Sequence, residues 1–205
     1  MGVPYDIAEA IVAAGRRMDA LGFVPATAGN FSVRLADGCI AITASGRHKG
    51  FLTPDDVIAV DTEGAPLQQG HKASAETLLH CGIYRRFPDA GAVLHGHSIA
   101  NTVLSRRAGN TPLRLAAFEL LKAFPGLPTH EAEILLPVVP NDQDIARMQR
   151  GLDALWDAMG SVPPGYLIAG HGSYVWAPDM PTALVRMEAL DFMLRCELEE
   201  RRTPA

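Results

Sequence analysis

The chain has 205 residues, of which 48% are hydrophobic, and a formal net charge of −5. This length and hydrophobic content are enough for one well-buried core and short for two, so we expect a single domain over residues 1–205. The acidic balance, with basic residues scattered along the chain, provides no basic field for binding nucleic acid or an anionic membrane.

The first part of the chain predicts a helix followed by strands. Apolar residues recur at helical spacing between Pro4 and Gly22, and alternating residues flank a turn at 36–38. We predict a helix at residues 5–21 and two hairpin strands at 30–35 and 39–43. A short capped segment at 53–56 and a third strand at 57–61 should follow.

The second part predicts four helices interleaved with short strands. Ser98 is a suitable N-cap for a helix that continues through Arg106. The other predicted helices lie at residues 74–87, 143–159 and 181–201, and the strands at 92–95, 133–138, 166–169 and 173–176. Hairpin strands interleaved with helices indicate an α/β fold, in which helices cover both faces of a largely antiparallel sheet.

Three cysteines, Cys39, Cys81 and Cys196, are widely separated and lack paired spacing, which is typical of free thiols in a reducing compartment. The N-terminal region carries acidic residues where a signal peptide needs a basic stretch. The longest apolar stretch, residues 134–139, contains Pro137 and is too short for a membrane span. We therefore expect a cytoplasmic protein.

Three histidines form the strongest candidate for a metal site. His95 and His97 stand at i and i+2 at a strand end, where alternate side chains share a face and can converge on one ion. His171 also follows an apolar strand and lies between two glycines. Three histidines with one open position are typical of catalytic zinc, although iron, cobalt or nickel would also suit neutral imidazoles.

The same histidines have a simpler interpretation, as surface or hydrogen-bonded core residues. The remaining histidines lack a comparable context, and for each of them solvent exposure or a local hydrogen bond is the better interpretation. They are His48, His71, His80 and His130.

Several short motifs now allow a comparison with known families. They are Gly29-Asn30-Phe31-Ser32, Ser45-Gly46 with Lys49 and Leu52-Thr53-Pro54-Asp55-Asp56, Ser74-Ala75-Glu76, His95-Gly96-His97 and Gly170-His171-Gly172. With these motifs in this order, the chain resembles the class II aldolase/adducin superfamily over nearly its whole length. The segments 72–77, 97–102, 118–122 and 165–168 are similar to a dehydratase branch of that superfamily, which acts on 5-methylthioribulose 1-phosphate in methionine salvage.

The resemblance implies a three-layer αβα sandwich, a homotetramer and zinc held by His95, His97 and His171. It also implies a phosphate cradle, whose residues in this chain would be Asn30, Ser45, Gly46, Ser74 and Lys49. Glycine-flanked amides and small hydroxyls can approach a phosphate closely, which agrees with this assignment. Ser74 as a simple N-cap and Lys49 as a solvated loop charge are the alternatives.

The implied reaction removes water from a sugar phosphate and needs a metal and a proton carrier. We predict that Glu119 is the acid/base and that Glu76 orients the metal shell or the substrate. Glu119 could instead pair with Lys122 at i, i+3 on an exposed face, and Glu76 could lie on a helix surface.

Two other functions remain open at this stage. A sugar-phosphate aldolase or a pentulose-phosphate 4-epimerase would use the same metal-assisted chemistry. An adducin-like module would keep the fold and serve only for interaction. Intact metal ligands argue against the non-catalytic module.

Overall fold

Five α-helices and nine β-strands lie within residues 2–202, the part of the chain described by the computed structural model. The helices are α1 (Tyr5–Ala20), α2 (Thr77–Arg86), α3 (Ile99–Ala108), α4 (Ile145–Ala158) and α5 (Met180–Glu200). The strands are β1 (Asn30–Arg34), β2 (Ile40–Thr43), β3 (Val57–Val60), β4 (Ala92–Gly96), β5 (Leu113–Ala116), β6 (Glu133–Leu136), β7 (Val138–Val139), β8 (Gly165–Ile168) and β9 (Ser173–Ala177). All five predicted helices are present, with ends that differ from the predicted ones by a few residues.

Within the described residues, seven of the strands form one sheet in the order β3-β2-β1-β4-β9-β8-β7. Neighbouring strands in this sheet are antiparallel except β7 and β8, which are parallel. The predicted hairpin is β1 and β2, closed by a hydrogen bond from the Leu35 amide to the Cys39 carbonyl. The largely antiparallel sheet that the sequence predicts is therefore confirmed.

Helices cover both faces of the large sheet and make the three-layer sandwich. Met18 of α1 packs in one buried cluster with apolar residues of α3 and α5, and Trp156 of α4 packs in a second cluster with α2. Successive side chains of β4 point into different clusters, because side chains alternate between the two faces of a strand. Leu94 lies in the first cluster and Val93 in the second.

The sequence predicts one strand at residues 133–138, but the structure has two strands there, in different sheets. The prediction of a single strand was therefore wrong. β6 pairs with β5 in a separate two-stranded sheet, whereas β7 lies beside β8 in the large sheet. Pro137 stands between them, and a proline without an N–H cannot continue a ladder of hydrogen bonds. β5, a strand of four residues, was not predicted from the sequence.

Both edges of the large sheet are short or covered. At one edge, β7 has two residues and is flanked by Pro137 and Pro140. At the other edge, the chain after β3 folds back, and the Leu67 amide donates a hydrogen bond to the Ala59 carbonyl at 2.9 Å. The Ala59 carbonyl, and the Asp61 amide just after the strand, which donates to the Ala65 carbonyl at 2.9 Å, thus have partners within the chain.

Within residues 2–202, α5 is the longest helix, with 21 residues. Asp179 caps its start by accepting a hydrogen bond from the Thr182 amide at 2.7 Å. Arg186, on the buried side of α5, donates a hydrogen bond to the Trp176 carbonyl of β9 at 2.7 Å. None of the helices in this part of the chain has an apolar stretch of the length needed to cross a bilayer.

Candidate active site

The ends of β4, β8 and β9 bring three histidines together. His95 lies in β4, His97 follows that strand, and His171 lies in the turn between β8 and β9. Each offers one nitrogen, and these atoms lie within 4.8 Å of one another. The Nε2 atoms of His95 and His97 are 2.8 Å apart. The predicted convergence of the three side chains is therefore seen in the fold.

The hydrogen bonds of His95 orient its lone pair. Its Nδ1 lies 2.9 Å from the Ser173 carbonyl oxygen, and because a carbonyl only accepts, Nδ1 carries the proton. When the ring is neutral, its lone pair is on Nε2, which faces His97 and the Glu76 carboxylate, whose Oε2 is 3.2 Å away. His95 is thus oriented to offer Nε2 as a metal ligand.

The other two histidines suit the same ion. Burial lowers the pKa of His97 to about 3 and also lowers the pKa of His171, so both rings are neutral and able to ligate a metal at neutral pH. The buried Nδ1 of His171 has no hydrogen-bond partner among the described residues, and its Nε2 lies 3.3 Å from Glu76 Oε1. Three neutral imidazoles fit a divalent transition metal.

A glycine makes the close approach of these strands possible. A Cβ at Gly172 would lie 2.3 Å from the Gly96 carbonyl oxygen and 2.9 Å from the His95 ring. The His95 ring also stacks on Tyr174, with 4.1 Å between centroids, and Tyr174 stacks in turn on Tyr166 at 4.9 Å. The backbone and the aromatic stack together hold His95 in one position.

A cavity of about 470 Å³ opens beside the histidines. It contains His97 and His171 together with all the residues predicted for the phosphate cradle and Glu76. Those residues are Asn30, Ser45, Gly46, Lys49, Ser74 and Glu76. The sequence analysis missed a second group of lining residues, which lies at the start of α4 and comprises Asn141, Asp142, Gln143 and Ile145.

Hydrogen bonds connect three of the predicted site residues. The Asn30 side-chain amide donates to Ser74 Oγ at 3.1 Å and to Glu76 Oε2 at 2.9 Å. Burial opposes the ionisation of Glu76, but His95, His171 and Asn30 outweigh it and hold its pKa well below the usual range. α2 begins at Thr77 with Glu76 in the N-cap position, so the helix start predicted at Ser74 was three residues early.

Lys49 is a buried cation rather than a solvated loop charge, which corrects the simpler interpretation of this residue. It is 2% exposed and begins a short 3₁₀ turn, Lys49–Phe51. Its Nζ donates to the Thr27 and Arg47 carbonyls at 2.8 and 2.6 Å. An ammonium has three protons, so one remains for a ligand in the cavity. Burial lowers the pKa of Lys49 to about 8.

Glu119 lies elsewhere on the chain. It begins another 3₁₀ segment, Glu119–Ala123, and its side chain is 67% exposed. It forms an ion pair with Lys122, and His130 lies 3.8 Å away. The hydrogen bond from Lys122 lowers the pKa of Glu119. Among the residues described, Glu119 is not one of those that line the cavity of its own chain.

Comparisons with known proteins agree with this fold and site. The family model described as Class II Aldolase and Adducin N-terminal domain matches residues 9–198. A methylthioribulose-1-phosphate dehydratase of Gluconacetobacter diazotrophicus is 55% identical over 192 residues, which cover 94% of this chain and 92% of that protein. A protein of the same name from Granulibacter bethesdensis is 55% identical over 204 residues, with 97% and 94% covered.

Solved structures show the same architecture. YgbL of Escherichia coli superposes with a TM-score of 0.80 at 26% identity, covering 94% of this chain and 88% of that one. The L-fuculose-1-phosphate aldolase of Thermus thermophilus superposes with a TM-score of 0.74 at 28% identity, covering 97% and 98%. From the family match and the identity to the curated relatives, the chain belongs to the class II aldolase and adducin N-terminal domain family.

Proposed function

We propose that the protein is a zinc-dependent hydro-lyase that converts 5-methylthioribulose 1-phosphate to 2,3-diketo-5-methylthiopentyl 1-phosphate in methionine salvage. The observation that carries this proposal is a cavity lined by a carboxylate, a buried lysine and two histidines of the three-histidine cluster. The chain that contains it is 55% identical to a protein named methylthioribulose-1-phosphate dehydratase. Cys39, Cys81 and Cys196 are free thiols, and we propose the reducing cytoplasm as the place of action.

The cavity suits a sugar phosphate that lies between the lysine and the histidines. Lys49 is protonated below pH about 8 and supplies a positive charge for the phosphate. Gly46 and Ser45 supply backbone amides and a small hydroxyl in the same wall. Asn30 and Ser74 stay proposed cradle residues, although the Asn30 amide hydrogens are both donated within the chain and would have to rearrange to reach a phosphate.

The metal we propose is zinc, held by His95, His97 and His171. When bound, a divalent metal supplies positive charge beside the C2 ketone oxygen and stabilises the negative charge that develops as C3 loses its proton. Glu76 faces the histidines, and its ionised oxygens keep the ligands oriented. The C4 hydroxyl then leaves with a proton as water, and C4 takes up a proton as the C3 hydroxyl becomes a ketone.

The proton carrier must come within hydrogen-bonding distance of C3 and C4. Glu119 is outside the cavity of its own chain and its pKa is lowered by Lys122, so it would need a desolvated position to act near neutral pH. We propose that the protein is a homotetramer in which Glu119 of one chain reaches the cavity of another. If this arrangement does not form, the carboxylates that line the cavity are Glu76 and Asp142, of which Glu76 faces the histidines.

Identification of the product tests the proposed reaction. Metal-loaded protein incubated with 5-methylthioribulose 1-phosphate should give the diketone phosphate. The conversion is monitored by ³¹P NMR, and mass spectrometry should show the loss of one water. A retro-aldol enzyme would instead release dihydroxyacetone phosphate, and an epimerase would give a second pentulose of unchanged mass. Either of these products, or no conversion by protein that retains its metal, would overturn the assignment.

The charge on Lys49 predicts a pH dependence. Because the lowered pKa leaves Lys49 neutral above pH about 8, kcat/KM should be high below that pH and fall above it. Lys49→Met should lower kcat/KM at pH 7 by about 10- to 100-fold, since a hydrogen bond to a charged group contributes about 1.5–3 kcal/mol. Lys49→Arg keeps its charge and should lose the alkaline decline.

A nearby lysine provides the control for this measurement. Lys72 is exposed and lies outside the cavity, so Lys72→Met should leave the pH profile unchanged. Persistence of the alkaline decline in an active Lys49→Arg variant would show that another group titrates.

A further inference from the structure

A buried chain of hydrogen bonds leads from the cavity into the layer between β1 and α2. Asn30 and Ser32 share one face of β1, because alternate residues of a strand point the same way. His80 and Tyr84 share one face of α2, and Glu76 lies one turn before them. The polar side chains of β1 and those of α2 face each other. His80 is fully buried, and Asn30, Ser32 and Tyr84 are at most 4% exposed.

The contacts run without a break along these two sets of side chains. His80 Nε2 is hydrogen-bonded to Asn30 Oδ1, and its Nδ1 lies 2.7 Å from Ser32 Oγ. Ser32 Oγ lies 2.8 Å from the Tyr84 hydroxyl. At the other end, the Asn30 amide donates to Glu76. Through Asn30 and Ser32, His80 therefore connects the Glu76 carboxylate with the buried Tyr84 hydroxyl.

The direction of every hydrogen bond follows from the chemistry of the groups. Asn30 turns its NH₂ towards the ionised Glu76, so its Oδ1 faces His80 and can only accept. His80 must then carry its proton on Nε2. Its Nδ1 is left to accept from the Ser32 hydroxyl, whose oxygen accepts in turn from Tyr84. Burial lowers the pKa of His80 to about 3, so the ring is neutral and one tautomer satisfies all its contacts.

We propose that His80 is a positioning residue of the active site, which as the Nε2–H tautomer fixes the Asn30 amide so that it donates to Glu76 and Ser74. This assignment rests on the proposed function. If the Asn30 amide rotated by half a turn, its oxygen would face the Glu76 carboxylate and its NH₂ would face the histidine. While His80 carries its proton on Nε2, that rotation would place two donors against each other, so this tautomer holds the amide in the orientation that donates to Glu76.

The tautomer can be measured without turnover. In ¹⁵N-labelled, zinc-loaded protein, the His80 signals are assigned by their loss in the His80→Phe variant. We expect the long-range ¹H–¹⁵N pattern of a neutral Nε2–H imidazole, unchanged between pH 6 and 9. A proton on Nδ1, or a charged ring in this range, would overturn the proposal. This result does not depend on whether the substrate has been identified correctly.

Kinetics test the consequence for the site. His80→Phe keeps a ring of similar size and removes the donor, so kcat/KM should fall about 10- to 100-fold, as is typical when a hydrogen-bond partner behind the metal ligands is removed. The apparent dissociation constant of zinc should rise, in the same direction as in Glu76→Gln. His80→Gln places an amide N–H near the former Nε2 and should recover most of the lost rate.

Cys81→Ala is the matched control, because Cys81 is buried on the neighbouring position of α2 and lies outside this chain of hydrogen bonds. It should destabilise the helix and leave kcat near wild type. A folded His80→Phe variant with normal kcat/KM and normal zinc affinity would contradict the proposal. If wild-type protein turns over a different substrate, the variants are compared with that substrate. Failure of the proposed reaction can then be distinguished from failure of the proposed role of His80.

Discussion

His97→Ala protein should contain little metal and should turn over substrate at least about 10³-fold more slowly than wild type. The expected loss is large because the variant removes one of three neutral imidazoles whose nitrogens lie within 4.8 Å of one another. His171→Ala should behave in the same way. Elemental analysis of the purified variants, together with the dehydration assay, measures both effects, and wild-type protein should carry about one zinc per chain.

His71→Ala is the control, since His71 is exposed and lies away from the cavity. It should retain metal and activity. Full metal retention in both the His97 and the His171 variants would show that the metal is bound elsewhere. Zinc added back to chelated wild-type protein should restore turnover, which separates loss of the metal from irreversible unfolding.

Glu119→Gln should lower kcat by about 10²- to 10⁴-fold while substrate binding persists, because glutamine keeps the shape and polarity of the side chain and cannot carry the proton. The metal content should not change. Glu76→Gln should instead raise the apparent dissociation constant of the metal or the substrate, since Glu76 lies 3.2 and 3.3 Å from two of the histidines. Metal titrations and steady-state kinetics distinguish the two variants.

Mixed assemblies test whether Glu119 acts between chains. The Glu119→Gln and His97→Ala proteins each lack one part of the proposed site. Suppose that each site takes its histidines from one chain and its Glu119 from another. When equal amounts of the two proteins are unfolded and refolded together, about a quarter of the sites should then receive intact histidines and an intact Glu119, and about a quarter of the wild-type rate should return. Light scattering that reports a monomer at micromolar concentration would contradict the homotetramer.

The opposite pattern would move the acid/base to the other carboxylate. Near-normal turnover by Glu119→Gln, with activity abolished in Glu76→Gln while metal is retained, would place proton transfer at Glu76. The dehydratase assignment would then lose its main mechanistic support.

Local patterns in the sequence predict most elements of this fold, because apolar spacing and turn residues are local signals. The helix over 5–21 ends within one residue of its predicted boundary. The strand at 133–138 was wrong because Pro137 sends its two halves to different sheets. β5 was not predicted, because it is defined by pairing with β6, a contact between separate segments that local spacing does not indicate. That residues 1–205 form a single domain stays a prediction.

The site could be predicted where residue type and strand position act together, as for His95, His97 and His171. The position of His80 could not be predicted in this way, because its function depends on a strand 50 residues away in the chain. The regular spacing of polar residues at 76, 80 and 84 was nevertheless present in the sequence. A buried polar layer of this kind is indicated when polar residues share one face of a helix and other polar residues occupy alternate positions of a strand that packs against it.

The covered edges of the large sheet limit how copies of this protein can associate. An open strand edge can add a strand from another molecule and so propagate into a fibre. Here β7 offers only two residues between prolines, and the chain after β3 occupies the opposite edge. We therefore expect the proposed tetramer to assemble through contacts other than strand pairing at the large sheet, and that sheet should resist edge-to-edge polymerisation even at high concentration.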